Sequence, residues 1–174
     1  MRPVTINNGY EMRAWYDIAM ADIGRLPDER GIRESRTQVE ALIERERGRG
    51  IASSRIVLAG FSQGGAIALH TGLRHAAPLA GILALSTYLP LAETLPREAS
   101  DANAAVPVFM AHGTEDPVIP LALAESSRAS HEARGLAPEW HAYPMPHSVC
   151  GEEVAEIGRW LRERFANRIV LAGA

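Results

Sequence analysis

The chain has 174 residues, of which 47% are hydrophobic and 22% are charged, and this is enough for one domain with a buried core. Its formal net charge of -3 at pH 7 gives no reason to expect nucleic acid or an anionic membrane surface as a partner. The single cysteine, Cys150, excludes an intrachain disulfide and a Cys-x-x-Cys site, and the absence of a long apolar run predicts no membrane span and a cytoplasmic protein.

The predicted elements alternate between helices and strands after an irregular start over residues 1–27. In chain order they are a helix over 28–49, a strand over 55–61, a helix over 63–75, a strand over 80–86, a loop with room for a short helix over 87–105, a strand over 106–111, a helix over 120–134, a strand over 139–143 and a helix over 152–166. In the last helix the spacing places Val154, Ile157, Leu161 and Phe165 on one face. Because the strands are apolar throughout, the pattern predicts one α/β domain over residues 1–174 with a parallel sheet between helices.

The end of the chain repeats an earlier segment. Residues 168–173 carry the same six letters as residues 55–60, Arg-Ile-Val-Leu-Ala-Gly. One short repeat does not indicate a repeat architecture. It leaves two interpretations of the 167–174 tail open, an additional strand and a frayed end without function.

A serine stands where the first of these strands meets the following helix. Residues 60–64 read Gly-Phe-Ser-Gln-Gly between an apolar strand and a helix, which is the context of a nucleophile elbow. A serine hydroxyl is a weak nucleophile and must stand on a tight turn within reach of a base. Gly60 and Gly64 would let strand and helix pass without a Cβ clash, and the amide of Gln63 would point at a developing oxyanion. The alternative is an ordinary glycine-rich turn with an incidental Ser62.

A serine nucleophile needs a general base and a carboxylate that orients this base. In elbow-containing sheets these residues follow in the order serine, acid, histidine. Asp116 lies in the loop just past the third strand, where parallel sheets place their sites, whereas Asp101 has no such placement and Glu115 is its nearest rival. His147 lies between the last strand and the last helix, which is the position that a general base requires.

The remaining histidines and the cysteine have other expected places. We expect His112 to support the site by hydrogen bonding and His141 to face a helix layer, and we expect Cys150 to be a buried, unreactive thiol. The helix that follows the elbow carries His70 and His75, for which packing or surface positions are expected, and His131 is expected to be solvated on a charged helix.

With Ser62, Asp116 and His147 in place, the chain resembles the phospholipase/carboxylesterase family of α/β-hydrolases, which includes acyl-protein thioesterases and bacterial carboxylesterases. The matching segments run from about residue 2 to about residue 165 and are residues 13–17, 58–66, 83–90, 112–120 and 143–147. The resemblance implies a three-layer α/β-hydrolase-type, mostly parallel sheet. It also implies hydrolysis of short- to medium-chain carboxylic esters through an acyl-enzyme, with a small-molecule ester as substrate and with no cofactor or metal.

The resemblance further places Trp15, Tyr88 and Leu89 beside the substrate cleft, with core packing as the alternative. Family members carry further strands and a Leu-His-Gly-x-Gly loop upstream, and no such loop precedes Ser62 here. We therefore expect an N-terminally shortened sheet without the second oxyanion donor, a loss that lowers rates roughly 100- to 1000-fold. The Ser62 strand would become an apolar edge, and such an edge invites pairing with another chain.

Two expectations follow for assembly and function. The open edge predicts a homodimer or higher oligomer, or coverage of the edge by residues 168–173. For function, two alternatives to a carboxylesterase stay open. One is a thioesterase or lysophospholipase that uses the same three residues, and the other is a catalytically impaired binding or assembly module.

Overall fold

The computed structural model describes residues 2–5, 8, 10–18 and 27–166. In chain order its elements are β1 (Arg2–Pro3), β2 (Glu11–Met12), α1 (Glu29–Gly48), β3 (Val57–Phe61), α2 (Gln63–Gly72), β4 (Gly81–Leu85), α3 (Leu95–Glu98), β5 (Val108–Gly113), α4 (Leu121–Glu132), β6 (Glu139–Tyr143) and α5 (Gly151–Ala166). The extra strand considered for residues 168–173 lies outside the described residues. Where only irregular structure was predicted, β1 and β2 form a two-residue antiparallel ladder.

The four longer strands form one parallel sheet in the order β3-β4-β5-β6. All residues of β4 and β5 are buried, whereas β3 exposes Ala59 and Phe61. The predicted parallel α/β sheet is therefore confirmed. Within the described part of the chain, β3 is an edge strand, and its carboxyl end leads directly into α2.

Successive strand residues face two different helix layers, as expected for a sheet covered on both faces. Ile82 and Met110 pack on one face against residues of α1 and α2, including Ile43 and Leu69. On the other face Leu83, Leu85, Phe109 and Ala111 pack against Trp160 of α5. The sheet thus lies between two helix layers, and both carry part of the core.

The first long helix begins and ends where its sequence predicts. The carboxylate of Asp28 accepts a hydrogen bond from the backbone N–H of Gly31 at 2.8 Å and caps the N-terminus. Salt bridges between residues four apart, such as Arg33 with Glu29, support its exposed side. After Gly48 the chain turns at Gly50, whose φ of +89° favours glycine.

The last helix turns a different face to the sheet than its aliphatic residues indicate. Trp160 is 1% exposed and Ile157 packs beside it, whereas Val154 and Phe165 are 58% and 42% exposed. An indole carries a large apolar surface, so burying Trp160 sets the rotation of the helix. No helix in the described ranges is both long and apolar enough to cross a membrane.

The prediction of a solvated His131 is wrong. This residue is fully buried and lies on the face of α4 that also carries Ala124 and Ser127. Burial, with a smaller contribution from Arg134, lowers the pKa of His131 to about 4. The prediction followed the charged neighbours of His131 in the sequence, whereas its spacing from the other buried residues of α4 places it on the inward face.

Candidate active site

The turn that carries Ser62 has a strained backbone. Ser62 has φ 54° and ψ -123°, a conformation that residues with a side chain rarely adopt. Its N–H donates to the carbonyl of Leu85 at 2.9 Å, and the hydroxyl of Thr87 donates to its carbonyl at 2.7 Å. The neighbouring strand and its following loop therefore hold this turn in place and leave Ser62 half-buried at the start of α2.

Close packing of β3 against α2 requires two glycines. A Cβ at Gly60 would lie 2.2 Å from the backbone carbon of Gly64, and one at Gly65 would lie 2.7 Å from Cγ2 of Thr87. At Gly64 the nearest atom would be the indole nitrogen of Trp15 at 3.5 Å, which is an ordinary contact. The steric role expected for Gly60 is confirmed, whereas the one expected for Gly64 falls to Gly65, because the rotation of α2 turns Gly65 toward the strand.

Asp116 and His147 form a hydrogen-bonded pair. Nδ1 of His147 lies 2.7 Å from Oδ2 of Asp116, and Oδ1 of Asp116 accepts from the backbone N–H groups of Val118 and Ile119 at 2.8 and 2.9 Å. Burial alone would raise the pKa of Asp116, but the hydrogen bonds from His147, Ile119 and Val118 outweigh it and hold the pKa below its usual value. Asp116 is therefore a carboxylate fixed in one orientation.

Backbone contacts bring the loop of Asp116 to the loop of His147. The backbone N–H of Thr114 donates to the carbonyl of Tyr143 at 2.8 Å, and that of Glu115 donates to the carbonyl of Met145 at 3.2 Å.

The imidazole of His147 lies against the ring of Phe61, with centroids 4.7 Å apart. Phe61 directly precedes Ser62, so the structure gathers the three residues that the sequence selected at the carboxyl edge of the sheet.

The rival groups lie in other surroundings. His112 is fully buried, and its Nε2 lies 2.9 Å from the backbone carbonyl of Ile119. It therefore supports the loop that carries Asp116, as expected. Glu115 is exposed, Asp101 lies in a separate 3-10 turn at Asp101–Asn103, and Cys150 is half-buried against the core. The placement of His141 is also as expected, because its ring stacks on Phe109 under the α5 layer at 4.9 Å.

Sequence reasoning missed the side chain of Gln63. Its Oε1 accepts from the N–H of Trp15 at 3.2 Å, and its Nε2 donates to the carbonyl of Tyr16 at 2.9 Å. These partners are separated from Gln63 by 48 and 47 residues. No local pattern signals a contact over such a separation.

The predicted substrate residues lie at different depths. Trp15 is half-buried beside Gly64, whereas Tyr88 and Leu89 are only 7% and 5% exposed. The hydroxyl of Tyr88 lies 3.2 Å from that of Tyr16, and Leu89 belongs to the core cluster against α2. Core packing accounts for both residues, and their contact with substrate stays a prediction.

One cluster of described side chains has donor atoms of the kind that metals bind. Glu139, His141 and Glu156 place one ligand atom each within 4.8 Å of one another. The guanidinium of Arg159 already donates to both carboxylates, at 2.7 Å to Glu156. Because this cation already pairs with both carboxylates, we assign no metal to the cluster.

Comparison with known proteins identifies the family of the chain. Residues 1–164 match the sequence profile of the family Phospholipase/Carboxylesterase. Acyl-protein thioesterase 1 of Neurospora crassa is 42% identical over 94% of this chain and 70% of its own length. Acyl-protein thioesterase 1 of Mycosarcoma maydis is 37% identical over 94% of this chain and 74% of its own length.

The crystal structure of Arabidopsis thaliana SOBER1 matches with a TM-score of 0.88 at 29% identity, over 94% of this chain and 79% of that one. That of Zea mays acyl-protein thioesterase 2 has a TM-score of 0.77 at 27% identity, over 94% and 77%. The chain therefore belongs to the phospholipase/carboxylesterase family of α/β-hydrolases and is a serine hydrolase.

Proposed function

We propose that the protein is a carboxylesterase that hydrolyses short- to medium-chain carboxylic esters through an acyl-enzyme on Ser62. The observation that carries the proposal is the Asp116–His147 pair beside the strained turn of Ser62. Acyl transfer needs a serine nucleophile, an imidazole that accepts its proton and a carboxylate that orients this imidazole.

In the first half of the reaction Ser62 Oγ attacks the ester carbonyl while His147 accepts the hydroxyl proton. Because Asp116 engages Nδ1 of His147, the proton goes to Nε2. The negative charge of Asp116 stabilises the imidazolium that forms. Collapse of the tetrahedral intermediate then breaks the ester C–O bond, and the leaving alcohol takes the proton from Nε2.

The backbone N–H of Gln63 donates to the oxyanion of this intermediate. Gln63 is the first residue of α2, and the first N–H groups of a helix have no intrahelical acceptor. The positive end of the helix dipole favours negative charge at the same place. In the second half a water attacks the acyl-serine and gives its proton to His147. The bond between the acyl carbon and Ser62 Oγ then breaks, the carboxylic acid leaves, and His147 returns the proton to Oγ.

Thioester hydrolysis is the second candidate function, since relatives over 94% of the chain are named acyl-protein thioesterases. The same residues would act on either acyl donor. Rates with p-nitrophenyl acetate, butyrate, octanoate and palmitate, beside the butyryl thioester of a small thiol, separate the two candidates. We expect the highest kcat/KM with butyrate or octanoate esters. A preference for the thioester over the matched ester assigns the second function, and no turnover of any substrate supports a binding module.

We also propose that the protein forms a homodimer or higher oligomer along β3. The carbonyl of Ile56 and the N–H of Ser62 bond toward β4. Because strand backbone groups alternate in direction, those of Val57, Ala59 and Phe61 point away from β4. No strand of the described ranges pairs with them. Such an edge favours pairing with a second chain.

Substitution of Ala59 by lysine tests this assembly. Ala59 is exposed on the edge strand, and an edge lysine opposes strand pairing. We expect light scattering to show an oligomer for the wild type and for the control Ala129→Lys, which changes an exposed alanine of α4, and a monomer for Ala59→Lys. A wild-type monomer contradicts the proposal, and rapid exchange of the amides of Val57, Ala59 and Phe61 with solvent would show in addition that the edge is open.

A further inference from the structure

Gln63 makes contacts in two directions. Its backbone N–H opens α2 next to Ser62, whereas its side chain reaches back to residues 15–16. The carboxamide offers one acceptor and two donor hydrogens. Here the acceptor faces an N–H and the nitrogen faces a carbonyl, so one side chain binds the backbone of two consecutive residues.

The segment that Gln63 holds is also anchored from the opposite side. The hydroxyl of Ser35 on α1 donates to the carbonyl of Trp15, and the N–H of Asp17 donates to Asp28, the residue that caps α1. Tyr16 is 1% exposed. Residues 15–17 are therefore fixed to α1 by these bonds, and Gln63 ties them to the helix that follows the nucleophile.

The consequence for the site is the position of one indole. The Trp15 indole nitrogen lies 3.5 Å from where a Cβ of Gly64 would stand, and Gly64 is two residues after Ser62. The indole is half-buried, and together with Ala59 and Gly64 it lines an apolar groove of about 290 Å³ between β3 and α1. An apolar face in this place can contact an acyl chain attached to Ser62, provided that the chain is long enough to reach it.

We propose that the Gln63 side chain is a positioning residue, which fixes the indole of Trp15 as a wall for the acyl chain beside Ser62. It thereby selects for longer acyl groups over acetyl. This inference rests on the proposed esterase function. It assigns the Gln63 side chain a task separate from that of its backbone N–H, which every residue except proline would supply at this position.

Gln63→Met tests the proposal because methionine keeps the length of the side chain and removes both hydrogen bonds. We expect KM for p-nitrophenyl octanoate to rise roughly 10-fold, since a small displacement of a contact group has effects of this order. The deciding value is the ratio of kcat/KM for octanoate to kcat/KM for acetate, which we expect to fall by a similar factor because acetyl is too short to reach the indole. Gln38→Met, which changes an exposed glutamine of α1, is the matched control and should alter neither value.

A double-variant cycle connects the effect to the indole. Trp15→Ala should raise KM for octanoate by a similar factor, and adding Gln63→Met to it should have little further effect, because both act on one contact. Equal losses with acetate and octanoate would show that Gln63 acts on the chemical step instead. Fully additive losses, or no change in Gln63→Met, would also overturn the proposal.

Hydrogen exchange of the Trp15 amide provides a measurement that needs no activity. We expect this amide to be protected in the wild type and in Gln63→Glu, which keeps an acceptor for it, and to exchange faster in Gln63→Met. If the wild type is inactive on every ester but shows this exchange pattern, the two hydrogen bonds of Gln63 hold residues 15–16 and only the proposed esterase function fails. Unchanged exchange in Gln63→Met means that the Gln63 side chain does not hold Trp15 in place.

Discussion

His147 Nδ1 lies 2.7 Å from Asp116 Oδ2, although 31 residues separate the two in the sequence. Each residue follows one of two adjacent parallel strands, β5 and β6, and their carboxyl ends lie at the same edge of the sheet. The contact is therefore a product of topology. Two backbone N–H groups on Oδ1 of Asp116 complete a carboxylate that orients the imidazole before any substrate binds.

Asp116→Asn should remove most of the activity while it preserves the fold. The asparagine oxygen can still accept from Val118 and Ile119, but its NH₂ group would face His147 and favour the wrong imidazole tautomer. We expect kcat to fall by roughly 10⁴-fold with p-nitrophenyl butyrate. Glu115→Gln, at the exposed neighbouring position, is the control and should retain activity. An Asp116→Asn enzyme within about 10-fold of the wild type would rule out the assigned role.

Gly60→Ala should be far more harmful than Gly64→Ala. The new methyl at position 60 would lie 2.2 Å from a backbone carbon that cannot move freely, whereas at position 64 the nearest atom is 3.5 Å away. We expect the free energy of unfolding to fall by about 3 kcal/mol or more for Gly60→Ala. For Gly64→Ala we expect a change within about 1 kcal/mol, since alanine also favours the helix. Urea unfolding of both variants measures the difference, and equal losses would contradict the packing described for the turn.

The buried His131 should make the protein sensitive to mild acid. Burial lowers its pKa from 6.5 to about 4, so the unfolded chain binds a proton between these values and the folded protein does not. Stability therefore falls as pH drops from 6.5 toward 4, by up to about 3 kcal/mol from this residue. His70 acts in the same direction, because burial and then Arg74 lower its pKa to about 3.

His131→Leu tests this dependence. Leucine places an apolar side chain on the buried face of α4, and this side chain cannot bind a proton. We expect the free energy of unfolding, measured in urea from pH 7 down to about pH 4, to fall less steeply for the variant than for the wild type. Parallel curves for the two proteins would mean that folding does not lower the pKa of His131.

Local patterns in the sequence predict much of this molecule. Apolar runs locate the strands, and the Gly-x-Ser-x-Gly turn between strand and helix predicts a serine on a strained backbone, as found at Ser62. Asp116 and His147 are selected by the rule that parallel strands carry their sites at their carboxyl ends, together with the chain order serine, acid, histidine, and the structure places the two residues in contact.

What the sequence did not predict depends on how helices dock. The rotation of α5 is set by Trp160, that of α4 buries His131, and that of α2 makes Gly65 the close contact. Each depends on packing against elements that are distant in the sequence, and the aliphatic pattern or the charge of one segment does not contain it. The bond between Gln63 and residues 15–16 is of the same kind, since it joins a loop to a helix across 47 and 48 residues.

The most direct test of the proposed function compares the wild type with Ser62→Ala in the hydrolysis of p-nitrophenyl acetate and butyrate, with thermal unfolding of both proteins as a check of folding. We predict clear wild-type activity that falls to the uncatalysed background in the variant, because no other group of the site can form the acyl-enzyme. Equal rates in the two folded proteins, at background or above it, would contradict a serine esterase built on Ser62.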